Sequence, residues 1–206
     1  MDKRLEGIID YFLHQELVKT ELIHDNPYQL LIAIVLSAQC TDKRINMVTP
    51  QLFRRYVDFE QLGLACYDDV FSLIKSISYP QVKAQRIIDI SRTIFKQYDS
   101  KIPKDIDILT SINGIGRKTA NLLLATLYGM PCIAVDTHVA RISNRLGLVS
   151  TGDPVRIEKE LQELFPIQYH SKINPWFVMF GRYRCKSRRP VCYECKLKHL
   201  CCNEPF

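Results

Sequence analysis

The stretch Ile112-Asn113-Gly114-Ile115-Gly116-Arg117-Lys118-Thr119-Ala120 decides the fold. Its two glycines, one residue apart, make a tight backbone corner. The apolar run Ala120-Asn121-Leu122-Leu123-Leu124-Ala125 follows at once and reads as helix, and Asp105 to Ile112 reads as a short helix before it. The pattern is helix, Gly-x-Gly hairpin, helix, with Lys118 in the first turn of the second helix. Gly114 and Gly116 let the backbone come close to a ligand. The N–H groups that open a helix point outward and favour an anion. A phosphate is the natural guest, with Arg117 and Lys118 beside it.

Outward from this hairpin the chain reads as helices. Leu5, Ile8, Ile9, Phe12, Leu13 and Leu17 form a helical stripe over 4–18. Asn26-Pro27 supplies a cap and a first-turn proline for a helix through Leu36 that is apolar all round, hence central and buried. Ser37-Ala38-Gln39-Cys40-Thr41-Asp42 ends it and starts a helix over 42–56. A weaker helix covers 68–76, and Pro80 opens a long one over 81–98. Asp136-Thr137 caps a helix to Leu146, Asp153-Pro154 starts one to Leu164, and a last helix covers 168–182. No period-2 strand pattern is present, so the expected class is all-α.

The 206 residues, 47% of them apolar, suffice for a real core, in one domain or two small ones. No repeat or long linker divides them, and the expected seam lies near Pro131. Net charge is +6. From Gly181 onward seven Lys/Arg stand against two Glu, so nearly all the excess is in the tail and points to a polyanion. The charged start Met1-Asp2-Lys3-Arg4 is not a signal peptide, and no apolar run approaches the ~20 residues of a membrane helix. The expected location is the cytosol, at the nucleoid, or the nucleus of a nucleated cell. There, eight cysteines serve as ligands or core residues rather than disulfides.

Cys185, Cys192, Cys195 and Cys201 have the spacing C-x6-C-x2-C-x5-C, in a tail with little apolar sequence. Four thiolates so placed can close around a [4Fe–4S] cluster or a structural zinc ion. Only 192/195 is a short pair, and the wide outer gaps suit the larger centre. Cys202 is an alternative ligand, though the spacing favours Cys201. Cys40, Cys66 and Cys132 read as lone core residues. Lys186, Arg188 and Arg189 lie between Cys185 and Cys192, on a loop pinned at both ends, and read as phosphate contacts or a solvated loop.

Together these motifs resemble the endonuclease III family, DNA glycosylase/AP lyases of the helix-hairpin-helix superfamily. The carriers are Leu36-Ser37-Ala38-Gln39-Cys40-Thr41-Asp42, the hairpin Gly114 to Asn121, Ala134-Val135-Asp136-Thr137-His138-Val139-Ala140-Arg141, the run Trp176 to Cys185, and the cysteine spacing. The resemblance spans essentially the whole chain. It implies two helical lobes with DNA bound between them. One is a six-helix barrel, here 20–131. The other joins 1–19 to 132–206 and holds a [4Fe–4S] cluster. The implied partner is double-stranded DNA with a damaged pyrimidine or an abasic site, bound by a monomer.

The resemblance also implies the chemistry. Lys118 is the nucleophile, against the simpler reading of a phosphate contact. A flipped nucleotide presents C1′, where an amine displaces the base and forms a Schiff base; β-elimination then breaks the 3′ phosphodiester. Such an amine must be neutral to attack, a form favoured by desolvation and nearby cations and opposed by DNA phosphates. Asp136 caps its helix and assists at the sugar. His138 either orients active-site groups or merely sits in the helix. Gln39 fills the hole left by the flipped base. Tyr79, in Ile77-Ser78-Tyr79-Pro80, stands where relatives carry an intercalating leucine, and an aromatic ring can still stack between bases. Asn113 stands for a proline, Asn174-Pro175 for two histidines, and Phe180 for a histidine.

Three alternatives share the scaffold. An adenine mismatch glycosylase lacks the hairpin lysine and carries a further C-terminal domain, so Lys118 and the end at Phe206 point away from it. A thymine/uracil mismatch glycosylase is likewise disfavoured by Lys118. A non-catalytic DNA-binding iron–sulfur module would keep hairpin, basic loop and cysteines but would not need both Lys118 and Asp136.

Overall fold

The computed structural model describes residues 2–15 and 20–202. Its helices are α1 (Lys3–Leu13), α2 (Pro27–Leu36), α3 (Asp42–Arg55), α4 (Phe59–Gly63), α5 (Tyr67–Ile74), α6 (Pro80–Tyr98), α7 (Ile106–Ser111), α8 (Arg117–Tyr128), α9 (Thr137–Arg145), α10 (Pro154–Leu164) and α11 (His170–Tyr183). No strand occurs among the described residues, so the class is all-α as expected. α1 stops at Leu13 rather than reaching 18, with the His14 N–H closing on the Asp10 and Phe12 carbonyls; the rest of the expected helix, 16–18, lies outside the described residues. The short α4 was not anticipated. Asp58 caps it, accepting from the Gln61 N–H at 2.8 Å.

The described chain divides into two units, residues 21–128 and residues 1–20 with 129–206. The first is built on α2. Asn26 accepts from the Gln29 N–H at 2.9 Å, and Pro27 presets the first turn. Every residue from Leu30 to Leu36 is buried. A helix with no polar face must be covered on all sides, and α3, α6 and α8 pack against it. α6 in turn packs on α4 and α5. The α4–α6 contact is close: a Cβ on Gly63 would lie 2.8 Å from the Arg92 backbone.

The second unit centres on aromatic rings. α1 buries Leu5, Ile8, Ile9 and Phe12. The Phe12 ring stacks on Trp176 at 5.6 Å, tilts against Phe177 at 5.3 Å and meets Phe180 edge-on at 5.6 Å. Each such pair adds about 0.5–1.5 kcal/mol beyond area burial. Phe180, which also meets Tyr11 edge-on at 5.8 Å, completes a hydrophobic cluster. Asn174 is buried and donates to the Ala134 carbonyl at 2.7 Å. It anchors the extended segment that leads to Asp136. Pro175 lies inside α11 without ending it, although it removes one helical N–H.

The tight α4–α6 contact yields a stability prediction. Gly63→Ala adds a methyl group against backbone that cannot swing away. The helix-propensity gain of about 1 kcal/mol is outweighed, and a net loss of about 1–3 kcal/mol is expected. Urea unfolding monitored by circular dichroism checks it; an unchanged midpoint refutes the close packing.

Candidate active site

The hairpin forms as the sequence implies. Asp105 caps α7, accepting from the Asp107 and Ile108 N–H groups, both at 2.9 Å. The Ile115 N–H closes the turn on the Ile112 carbonyl at 3.0 Å. Gly114 has φ +99, a backbone region that side chains rarely enter, and a Cβ there would also strike the Arg86 side chain at 2.6 Å. Its role is therefore structural: it seats the hairpin on α6. Gly116 differs. A Cβ there meets no atom within 4 Å, so glycine leaves open surface outside the protein. Gly116, Arg117 and Lys118 are all exposed at the start of α8. Its first-turn amides are aimed outward, a ready site for an anion.

Two further positions from the sequence lie in the same unit. Gln39 sits in the turn after α2 at φ 54, and Tyr79 immediately precedes α6 at φ 54, ψ 49. Both are exposed, Tyr79 by 62%. Left-handed backbone costs an ordinary residue about 1–2 kcal/mol. For Tyr79 the following Pro80 adds a second restriction, since a residue before proline prefers extended backbone.

Asp136 belongs to the other unit. Its Oδ1 accepts from the His138 and Val139 N–H groups, both at 2.8 Å, and its Oδ2 lies 3.2 Å from His138 Nδ1. The carboxylate is thus cap of α9 and partner of the imidazole, and both side chains are largely covered, 15% and 26% exposed. His138 is tied to Asp136 rather than being an isolated helix residue.

Cys185, Cys192, Cys195 and Cys201, all half-buried, line one pocket together with Ile142, Leu146 and Leu197. Burial pushes the Cys195 thiol up, a Leu197 amide opposes this, and the nearby Cys185, Cys192 and Cys201 add to it. The four thiols therefore share one electrostatic neighbourhood. Cys202 is turned away, its Sγ 2.8 Å from Arg4 Nη2. The lone cysteines are not core residues: Cys66 is exposed and Cys40 and Cys132 are half-buried. Each stands at a helix boundary or in a connection, where small side chains need not be covered.

Three arginines to which the sequence reading assigned no structural role hold this region. Arg145 Nη1 donates to the Lys186 carbonyl at 2.7 Å and to Cys185 Sγ at 3.3 Å, and Nη2 to the Ser187 carbonyl at 3.1 Å. Arg141 Nη2 donates to the Gly181 and Cys185 carbonyls at 3.0 and 3.2 Å. Arg4 bonds the Leu200 carbonyl at 3.0 Å and the Leu146 carbonyl. Burial pulls the Arg141 guanidinium down, Arg145 adds to this, and Cys185 and Asp136 oppose it. Lys186, Arg188 and Arg189 are exposed on the loop so fixed, Arg189 at φ 51. Sequence gave no signal for the arginines, because their partners are backbone carbonyls.

Residues 32–167 match the HhH-GPD superfamily base excision DNA repair protein family. The chain is 41% identical over 198 residues to endonuclease III of Bacillus subtilis, covering 96% of this chain and 89% of that protein. It is 41% identical over 181 residues to endonuclease III of Synechocystis sp., covering 87% and 83%. A solved structure of a trapped endonuclease III–DNA covalent intermediate, an estranged-adenine complex, aligns with TM-score 0.88 at 38% identity, over 97% of this chain and 92% of that one. The chain belongs to the endonuclease III family. It is a base excision repair enzyme, a DNA glycosylase and AP lyase. A thermostable thymine-DNA glycosylase at 19% identity and TM-score 0.83 shares the fold.

The capping role of Asp136 can be tested by itself. Asp136→Ala removes an N-cap and is expected to cost about 1 kcal/mol of stability, whereas Asp136→Asn keeps the cap and costs a few tenths. Urea midpoints of the two variants check this. Equal midpoints would show that the two 2.8 Å cap bonds do not stabilise α9.

Proposed function

We propose that this chain removes oxidised or ring-damaged pyrimidines from duplex DNA and nicks the abasic site through a lysine Schiff base. The observation that carries the reading is Lys118: an exposed amine in the first turn of α8, directly after a hairpin whose Gly116 leaves room for a DNA strand. The hairpin amides and the cations Lys186, Arg188 and Arg189 take the phosphates. Lys118 is thereby left for the sugar. Its Nζ attacks C1′, the C1′–N bond breaks, and the base leaves with the bonding pair and gains a proton. Ring opening protonates O4′ and leaves an iminium between C1′ and Nζ. Loss of a C2′ proton then expels the 3′ phosphate, and water releases the lysine.

Asp136 holds negative charge where positive charge develops at C1′ and accepts a proton during attack. His138 orients that carboxylate through the Nδ1 contact. Gln39 fills the space of the flipped nucleotide, and Tyr79 stacks into the duplex from its own loop. The unit of 21–128 is the helical barrel, and the unit of 1–20 with 129–206 is the cluster domain. The protein acts as a monomer. No helix among the described residues is long and apolar enough to cross a membrane. As an enzyme acting on DNA it works at the nucleoid in the cytoplasm, or in the nucleus of a nucleated cell.

The cysteines fit the cluster this family carries. All four thiols line one pocket. The wide outer gaps of the C-x6-C-x2-C-x5-C spacing favour a [4Fe–4S] cube held by Cys185, Cys192, Cys195 and Cys201 over zinc. When bound, the cluster supplies iron–thiolate anchors for a segment with little core of its own. Arg145, donating to Cys185 Sγ, is placed to neutralise part of the cluster's charge.

Two experiments test this reading. Borohydride added during reaction with a thymine glycol duplex should reduce the iminium and leave a covalent protein–DNA adduct that Lys118→Gln cannot form. Base release without any adduct would sink the Schiff base and favour a monofunctional glycosylase. The purified protein should be yellow-brown, with iron and acid-labile sulfide in equal amounts; a colourless protein carrying zinc refutes the cluster.

A further inference from the structure

Lys83 is a buried charge that the mechanism leaves unused. It lies on α6 and is only 3% exposed. Its Nζ donates to the Leu36 carbonyl at 2.8 Å and to the Ala38 carbonyl at 2.6 Å. These carbonyls belong to the end of α2 and the turn carrying Gln39. Helix ends leave carbonyls without intrahelical partners, and a cation there is favoured by the helix dipole. The remaining bonds of the turn are local: the Cys40 N–H donates to the Ser37 carbonyl at 3.0 Å and Ser37 Oγ to the Ile34 carbonyl at 2.8 Å. Lys83 is thus the long-range tie on this turn.

The Lys83 N–H donates to the Tyr79 carbonyl at 3.1 Å, a main-chain bond that any residue but proline would make at this first turn of α6. The side chain is what is specific to lysine, and it braces the turn of the exposed, left-handed Gln39, on the same helix that begins after left-handed Tyr79. Neither conformation is intrinsically favoured, so each persists only where the surroundings over-determine it. Burial pushes the Lys83 ammonium below the ordinary lysine range, with Cys40 opposing and Arg86 adding to it. A buried amine without carbonyl partners would be strongly unfavourable, so both bonds are held firmly.

We propose that Lys83 is a positioning residue whose side chain locks the Gln39 turn on α6 as a rigid DNA-wedging element. This rests on the proposed role of Gln39 at DNA. A purely structural lysine would support stability alone. A positioning lysine acts through Gln39, and its removal loses effect once Gln39 is gone.

A double-mutant cycle on the full-length holoprotein makes the distinction. Single-turnover base release from a thymine glycol duplex is measured for wild type, Lys83→Met, Gln39→Ala and the double variant, with thermal melting as the folding control. Lys83→Met should slow release by about tenfold to a hundredfold, the scale of a displaced positioning group. In the Gln39→Ala background the same change should matter by less than about twofold. Equal factors in both backgrounds overturn the proposal and leave the DNA face intact. If Gln39→Ala itself has no effect, the wedging element falls and the role of Lys83 with it. Should Lys83→Met not fold, Lys83→Gln keeps one N–H donor and runs the same cycle, with a smaller slowing expected and the same two outcomes deciding.

Discussion

The unit that carries the hairpin depends on a helix with no polar face. From Leu30 to Leu36 every side chain of α2 is buried, so it must be enclosed. Enclosure brings α3, α6 and α8 together. Those three neighbours carry the proposed functional surface: α8 has Lys118 in its first turn, α6 begins after Tyr79, and the turn between α2 and α3 presents Gln39. Burial of seven consecutive apolar residues, each worth about 1.5–3 kcal/mol for the larger side chains, far exceeds the few kcal/mol of strain at the exposed residues around it. The hydrophobic term thus sets the frame, and the strained loops are tolerated at its edge.

The other unit solves a different problem. Its last segment consists of short turns around cysteines, and few of its side chains are buried. A segment with no apolar face needs polar or covalent anchors. Arg4, Arg141 and Arg145 provide the polar ones, all on backbone carbonyls or sulfur. Arginine suits this work because its planar fork serves several acceptors at once and keeps its charge. Arg141 is also on α9, the helix that Asp136 caps. The cysteine loop and the carboxylate proposed to act at the sugar are therefore referred to the same helix.

Much of this was legible in the sequence, for identifiable reasons. Asn26, Thr41, Asp105, Asp136 and Asp153 cap helices through their own side chains, and caps are local signals. The hairpin was legible because Gly114 requires a backbone region closed to other residues. Cysteine spacing is likewise local. What sequence did not yield were side chains whose partners are distant carbonyls: Lys83 on Leu36 and Ala38, Arg145 on Lys186 and Ser187. A trace of Lys83 exists, since it falls on the buried stripe of α6 with Ile87, Ile90 and Ile94, where a charge is out of place. For the arginines no such pattern exists. The short α4 escaped because five residues are too few for a helical period to register.

Three of the left-handed residues tie stability to the proposed function, whereas Asp99 and Ser100 merely end α6. Gln39, Tyr79 and Arg189 are neither glycine nor asparagine, and nothing in their side chains favours φ near +50. Glycine at any of them would remove steric strain, yet would also remove the amide, the ring or the guanidinium. Retaining a strained residue makes physical sense where the side chain must project from the tip of a tight turn. In such a turn αL backbone redirects the Cα–Cβ bond, and the surrounding fold holds the geometry before any ligand arrives. A face organised in advance loses less conformational entropy on binding, which offsets the strain stored in the free protein. For a protein that must pull a nucleotide out of a duplex at a cost of a few kcal/mol, rigid projections supply that work better than side chains that must first be ordered.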